Sequence, residues 1–160
     1  MLKIKYKITL NLILIFNIFA LIAAYFIEYV LGHQPCNLCL IERIPFALVI
    51  ICILLSLFFT KFEKISLIII SLIFFSATLI SLYHFGIEQG FITESLVCDL
   101  GVGGDVLTKE ELLKQLKQKT INCKDITFKI LGFSLATINI FVSLILGIIT
   151  LNLFLNYEKN

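Results

Sequence analysis

Two cysteines stand three positions apart in Pro35-Cys36-Asn37-Leu38-Cys39, and two more follow at Cys98 and Cys123. A C-x-x-C pair presents both sulfurs to one point in space, a spacing used for thiol redox chemistry and for metal binding. At a helix start the terminal N–H groups favour a thiolate. Arg43, seven and four residues beyond the two sulfurs, adds positive charge near the same face. The thiolate is the nucleophile of disulfide exchange.

Three chemistries compete for the four sulfurs. Zinc held by four thiolates ranks last, because Cys98 and Cys123 lie 25 residues apart and not at the usual ligand-pair spacing, and no metal site is assigned. Two purely structural disulfides rank second, since a C-x-x-C bridge closes a very small ring and stabilises little through chain entropy. The retained reading is a relay of two facing dithiol/disulfide pairs. One pair takes electrons from outside, and the other passes them toward the membrane. Its non-enzymatic rival is a membrane protein whose loop is merely stapled.

The elements that must position these sulfurs are membrane helices. Of 160 residues, 59% are apolar and 15% charged, against about 45–50% and about 25% in soluble domains. Too little polar surface remains to coat a water-facing globule, which excludes a soluble enzyme or a disordered tail. The net charge of +2 offers no basic excess for a nucleic-acid partner. Charges delimit four uncharged blocks of 20, 17, 19 and 28 residues, after Lys7, Arg43, Lys64 and Lys129. A helix needs roughly 20 residues to cross the hydrocarbon core, and the first block is too long for a signal-peptide core of about 7–15.

The reading is an all-α membrane protein, a bundle of four transmembrane helices forming one domain over residues 1–160. Its spans fall at about 8–31, 40–60, 65–83 and 130–155, with a short exoplasmic loop at about 32–39 and a long one at about 84–129. The 17-residue block reaches only about 26 Å, so its helix is expected to start before Arg43, with Cys39 in the first turn and the guanidinium snorkelling outward. Pro45 either belongs to the first turns of that helix or kinks one that already runs from Cys36.

Two spans separate Cys39 from Cys98 and none separates Cys98 from Cys123, so the four cysteines share one side of the membrane. Lys3, Lys5, Lys7, Lys61, Lys64 and Lys159 lie on the opposite side. The total across the membrane is nearly balanced, but weighting short loops and the flanks of the first span places both termini in the cytoplasm. The four cysteines then occupy an oxidising compartment, where disulfides persist. Cys52, between Ile51 and Ile53 in mid-span, reads as a small apolar packing residue. Within the long loop, Thr108-Lys109-Glu110-Glu111 reads as a capping box opening a short amphipathic helix, preceded by a hinge at Gly101, Gly103 and Gly104. That helix lies on the membrane or packs on the loop's own apolar residues.

The chain resembles the disulfide bond formation protein B family (DsbB), membrane oxidases that recharge a periplasmic thioredoxin-like oxidant. The resemblance rests on Pro35-Cys36-Asn37-Leu38-Cys39 with Glu42-Arg43-Ile44-Pro45-Phe46, on Tyr83-His84-Phe85-Gly86-Ile87-Glu88, on Cys98 and Cys123, and on Leu131-Gly132-Phe133-Ser134-Leu135-Ala136 with Asn139. It implies that Cys36 and Cys39 are the quinone-coupled pair, with Cys39 nearest the quinone ring. Cys98 would be the loop cysteine attacked by a DsbA-type partner, and Cys123 its disulfide mate. Arg43 and His84 would serve the quinone site. Relatives often carry Trp where this chain has Phe128 and Ile138.

Energetics point the same way. A DsbA-type oxidant sits near −120 mV and ordinary dithiols at about −200 mV or lower, so dithiols alone would work about 80 mV, or about 4 kcal/mol, uphill. With no Rossmann glycine pattern and no haem C-x-x-C-H, a membrane quinone, ubiquinone or menaquinone, is the expected acceptor. Near the exoplasmic helix ends, Arg43 and His84 are placed to polarise its carbonyls. For His84 the competing role is an interfacial residue bonded to loop backbone. The resemblance places the protein in a bacterial inner membrane. An enzymatic rival, a vitamin K epoxide reductase-like protein, would carry its C-x-x-C late in the chain, whereas here it follows the first span.

Overall fold

Long apolar segments free of internal proline become helices in lipid, because a helix satisfies its own N–H and C=O groups. The computed structural model describes residues 2–59, 63–93, 129–130 and 132–158. Along the chain these form α1 (Leu2–Tyr29), α2 (Asn37–Ile41), α3 (Arg43–Phe58), α4 (Glu63–Glu88), β1 (Lys129–Ile130), β2 (Phe133–Ser134) and α5 (Leu135–Glu158). Four stretches, Tyr6–Tyr29, Asn37–Phe58, Glu63–Glu88 and Leu135–Asn156, are long and apolar enough to cross a membrane. The protein is an all-α four-helix membrane bundle. Its β1–β2 pair, Lys129 opposite Ser134 and Ile130 opposite Phe133, leads into the last helix.

The second span is two helices meeting at Glu42. The last α2 bond runs from Glu42 N–H to Leu38 C=O at 2.9 Å. Pro45 has no N–H with which to reach the carbonyl of Ile41, and as the third residue of α3 it sits where proline is tolerated. The chain therefore breaks ahead of Pro45. Helix formation does begin before Arg43, with Cys39 inside α2.

Charge-delimited blocks misplace the end of the third span. Residue 83 was its expected limit, but α4 runs on to Glu88. His84 does not stop the helix because its ring is paired inside the bundle, and a paired polar group costs far less in a span than a bare one. At its C-terminus, Gly90 adopts φ +76°. Gly90 N–H bonds to Ile87 C=O at 3.0 Å and Phe91 N–H to Gly86 C=O at 2.9 Å, a Schellman closure that favours glycine at the left-handed position.

Packing runs α1 on α3, α3 on α4, and α4 on α5. Tyr6, Leu10, Ile13 and Asn17 form the inward stripe of α1, and the first three join Val49, Ile53, Leu67, Ile70 and Phe74 in the main core. Between α4 and α5 the surfaces are small and polar: Ser71, Ala77 and Ser81 on one, Ser143, Gly147 and Thr150 on the other, all buried. Ser71 Oγ donates across the interface to Gly147 C=O at 3.3 Å. In lipid, where apolar burial does not drive helix association, close backbone approach and such bonds do. Large apolar side chains such as Phe19, Ile22, Leu72, Leu79 and Phe141 face outward, as a hydrocarbon solvent requires.

Candidate active site

The C-terminal ends of α1 and α4 and the N-terminal ends of α2, α3 and α5 meet at one end of the bundle. Pro35 precedes the α2 cap, and Cys36 is that cap: its Sγ accepts from Cys39 N–H at 3.2 Å. A sulfur in an N-cap position faces unsatisfied helix N–H groups and a favourable dipole. Cys36, Leu38 and Ile87 pack together, with Cys39, Ile41 and Tyr83 against them. Cys36 is 6% exposed and Cys39 half-buried, both as free thiols.

From α4, His84 brings Nε2 to 3.5 Å from Cys36 Sγ. Its other nitrogen, Nδ1, lies 2.8 Å from Glu42 Oε1. A carboxylate only accepts, so Nδ1 carries the proton of that bond and Nε2 is turned to the sulfur. Glu42 is buried at the α2–α3 break, and Asn139 Nδ2 of α5 donates to its second oxygen at 3.0 Å. Asn139 is steadied in turn by Ser81 Oγ at 2.8 Å and by the hydroxyl of Ser143 at 3.2 Å. Glu42 thus joins three spans and aims one imidazole at one sulfur. Hydrogen bonding from Cys39, and then from the His84 ring, holds the Cys36 thiol well below the ordinary thiol range, to about 5, against burial that pushes it up.

Arg43 faces the other way. Its guanidinium pairs with Glu28 of α1 and lies 5.0 Å from the centre of the Tyr25 ring. The sequence leads to an outward-snorkelling guanidinium; α1 supplies it with both a carboxylate and an aromatic face, which makes a cation near the membrane surface tolerable.

Of the sequence-derived site residues, Cys36, Cys39 and His84 come together, with donor atoms within 4.8 Å of one another. His84 makes its contacts to side chains, Cys36 and Glu42, and no bond to loop backbone is present among the described residues. Arg43 lies at the same end, directed to α1. Cys98, Cys123, the capping box and the glycine hinge lie outside the described residues. Cys52 packs against the main core, and its carbonyl accepts from Ser66 Oγ at 3.2 Å.

Sequence reasoning gave no role to Glu28, Glu42, Ser81, Glu88 or Asn139. The available signal was simple: a carboxylate or amide inside or beside an apolar span marks a functional or paired group. Ser81 carried no such mark.

A four-span membrane protein with a buried histidine–carboxylate pair against a C-x-x-C dithiol is a thiol-redox architecture. The family model for "Disulfide bond formation protein DsbB" matches residues 6–153, and the chain belongs to the DsbB family. It is a membrane disulfide-bond formation protein. An uncharacterized protein of Rickettsia prowazekii (strain Madrid E) is 34% identical over 161 residues, covering 99% of this chain and 92% of that protein. No solved structure matches the chain.

Proposed function

We propose that the protein reoxidises a periplasmic, thioredoxin-like DsbA-type oxidant and delivers the electrons to ubiquinone or menaquinone in a bacterial inner membrane. Both termini would be cytoplasmic and the four site cysteines periplasmic. The observation that carries the reading is the Cys36 sulfur held against His84 and, through it, Glu42.

In this scheme the partner's dithiol attacks the Cys98–Cys123 disulfide, and the partner leaves oxidised. The loop dithiol then reduces the Cys36–Cys39 disulfide by a second exchange, which conserves two electrons and two protons at each transfer. The chain's own residues prepare the last dithiol for reoxidation. The Cys39 N–H and the His84 ring stabilise negative charge on Cys36, and Glu42 holds the ring in the orientation that does so. The guanidinium of Arg43, held by Glu28 and Tyr25, would donate a hydrogen bond to a quinone carbonyl. A bound quinone supplies the terminal acceptor for two electrons and two protons.

The test is quinone consumption by the purified protein given reduced partner. Loss of turnover in Cys36→Ser, Cys39→Ser and Cys98→Ser variants is expected. Turnover at the unmutated rate in any of them sinks the relay and favours a stapled loop.

A further inference from the structure

The same donors have a second chemistry. A tetrahedral zinc site with Zn–S of about 2.3 Å and Zn–N of about 2.0 Å has sulfur–nitrogen edges of about 3.5 Å. Cys36 Sγ and His84 Nε2 are 3.5 Å apart, and Cys39 Sγ completes a triangle of donors within 4.8 Å. The spacing of Cys36 and Cys39 is that of a thiolate ligand pair. His84 donates Nδ1–H to Glu42, the outer carboxylate that commonly orients a metal-binding imidazole, and this leaves Nε2 as the ligand atom.

A separate observation concerns the fourth position. Glu88, one turn beyond His84 on α4, brings Oε1 to 3.8 Å from His84 Nε2, and its side chain is only 6% exposed. Its other oxygen, Oε2, is buried without a hydrogen-bond partner among the described residues. A buried carboxylate oxygen without a donor is costly; Glu88 stands outside the triangle of donors within 4.8 Å, and its side chain would turn toward a bound cation to supply the fourth ligand.

We propose that the reduced Cys36–Cys39 pair, with His84 Nε2 and the Glu88 carboxylate, is a binding site for a thiophilic divalent cation of the zinc class. Binding places the ion on both thiolates and on His84 Nε2, and any proton on either sulfur or on Nε2 is released to solvent. Oxidation to the Cys36–Cys39 disulfide removes both sulfur ligands, so occupancy follows redox state. This differs from a four-cysteine zinc site, since it uses neither Cys98 nor Cys123. Where the pair serves the proposed relay, the metal withholds the dithiol from reoxidation; that consequence rests on the relay reading, whereas binding does not.

The test uses the full chain in detergent, reduced and freed of reductant, titrated with Co²⁺ and then Zn²⁺. One Co²⁺ per chain is expected, with thiolate-to-cobalt charge transfer and the visible bands of a tetrahedral ion, discharged by Zn²⁺. The signal should persist in the Cys98→Ser/Cys123→Ser double variant and vanish in Cys36→Ser, in Cys39→Ser and in oxidised protein. Glu42→Gln should weaken affinity about 10–100-fold, and Glu88→Gln should weaken it and alter the spectrum. Independently of any variant, Zn²⁺ should shield Cys36 and Cys39 from maleimide while Cys98 still reacts. The proposal is overturned by a cobalt spectrum that survives loss of Cys36 or Cys39, by one that needs the loop cysteines, or by unchanged affinity in both glutamate variants. Absent shielding overturns it equally. Quinone consumption separates the two readings: failure of the metal site leaves turnover intact, and failure of the relay leaves cobalt binding intact.

Discussion

At the residue scale, the site is a sulfur tuned by a ring that is itself aimed by a carboxylate. The Cys36 thiolate is lost only as pH falls through about 5, so alkylation of Cys36 in chelator-treated, reduced protein should be half-maximal near that pH. Peptide mapping after brief iodoacetamide exposure across a pH series reads this out. Removing His84 removes two of the influences that lower the thiol, so His84→Gln should move the midpoint upward. The Arg43–Glu28 contact predicts that Arg43→Met and Glu28→Gln are not additive, with a coupling of about 1 kcal/mol in a double-mutant cycle on thermal stability. The C-x-x-C spacing and Arg43 were plain in the sequence. The partners were not: Glu42 lies 42 positions from His84 and 97 from Asn139, and a single sequence carries no record of which distant groups meet.

Among elements, the helices follow from apolar run length, but their limits do not follow from where charges stand. Counting charges as boundaries ended α4 five residues early, because His84 is satisfied by Glu42 and does not face lipid. The Pro45 ambiguity is resolved by the carbonyl of Ile41, which proline cannot serve. Two glycines then make opposite forecasts. Gly90→Ala forces a side chain into a left-handed position and should cost about 1 kcal/mol. Gly147 sits at ordinary contact distance, its hypothetical Cβ being 3.5 Å from Phe74 Cβ, so Gly147→Ala should be tolerated. The larger Gly147→Leu must wedge α5 from α4 and should destabilise by about 1–3 kcal/mol. Thermal unfolding in detergent, followed by circular dichroism, checks all three.

For the whole molecule, the spans present large apolar side chains such as Phe19, Leu72, Leu79 and Phe141 outward, while Asn17, Ser71, Ser81, Ser143 and Thr150 are buried beside an apolar core. Composition and hydropathy made that legible at once. Orientation rests instead on a near-tie of lysines, decided by weighting short loops, and it has its own test. With both termini cytoplasmic, a membrane-impermeant maleimide added to intact spheroplasts should label Cys98 in reduced protein but not a Lys61→Cys variant; the reverse pattern would turn the protein over.

The break at Glu42 has a mechanical meaning. The dithiol rides on the five-residue α2 and its Cys36 cap, joined to α3 through Glu42, which keeps right-handed helical dihedrals and is braced by α4 and α5. When the two sulfurs close to form a bond, the displacement is expected in that short arm, with the rod behind it seated against its neighbours. The redox cycle should then be silent at the lipid surface: a probe on Leu48, which faces outward from α3, should report the same environment in oxidised and reduced protein.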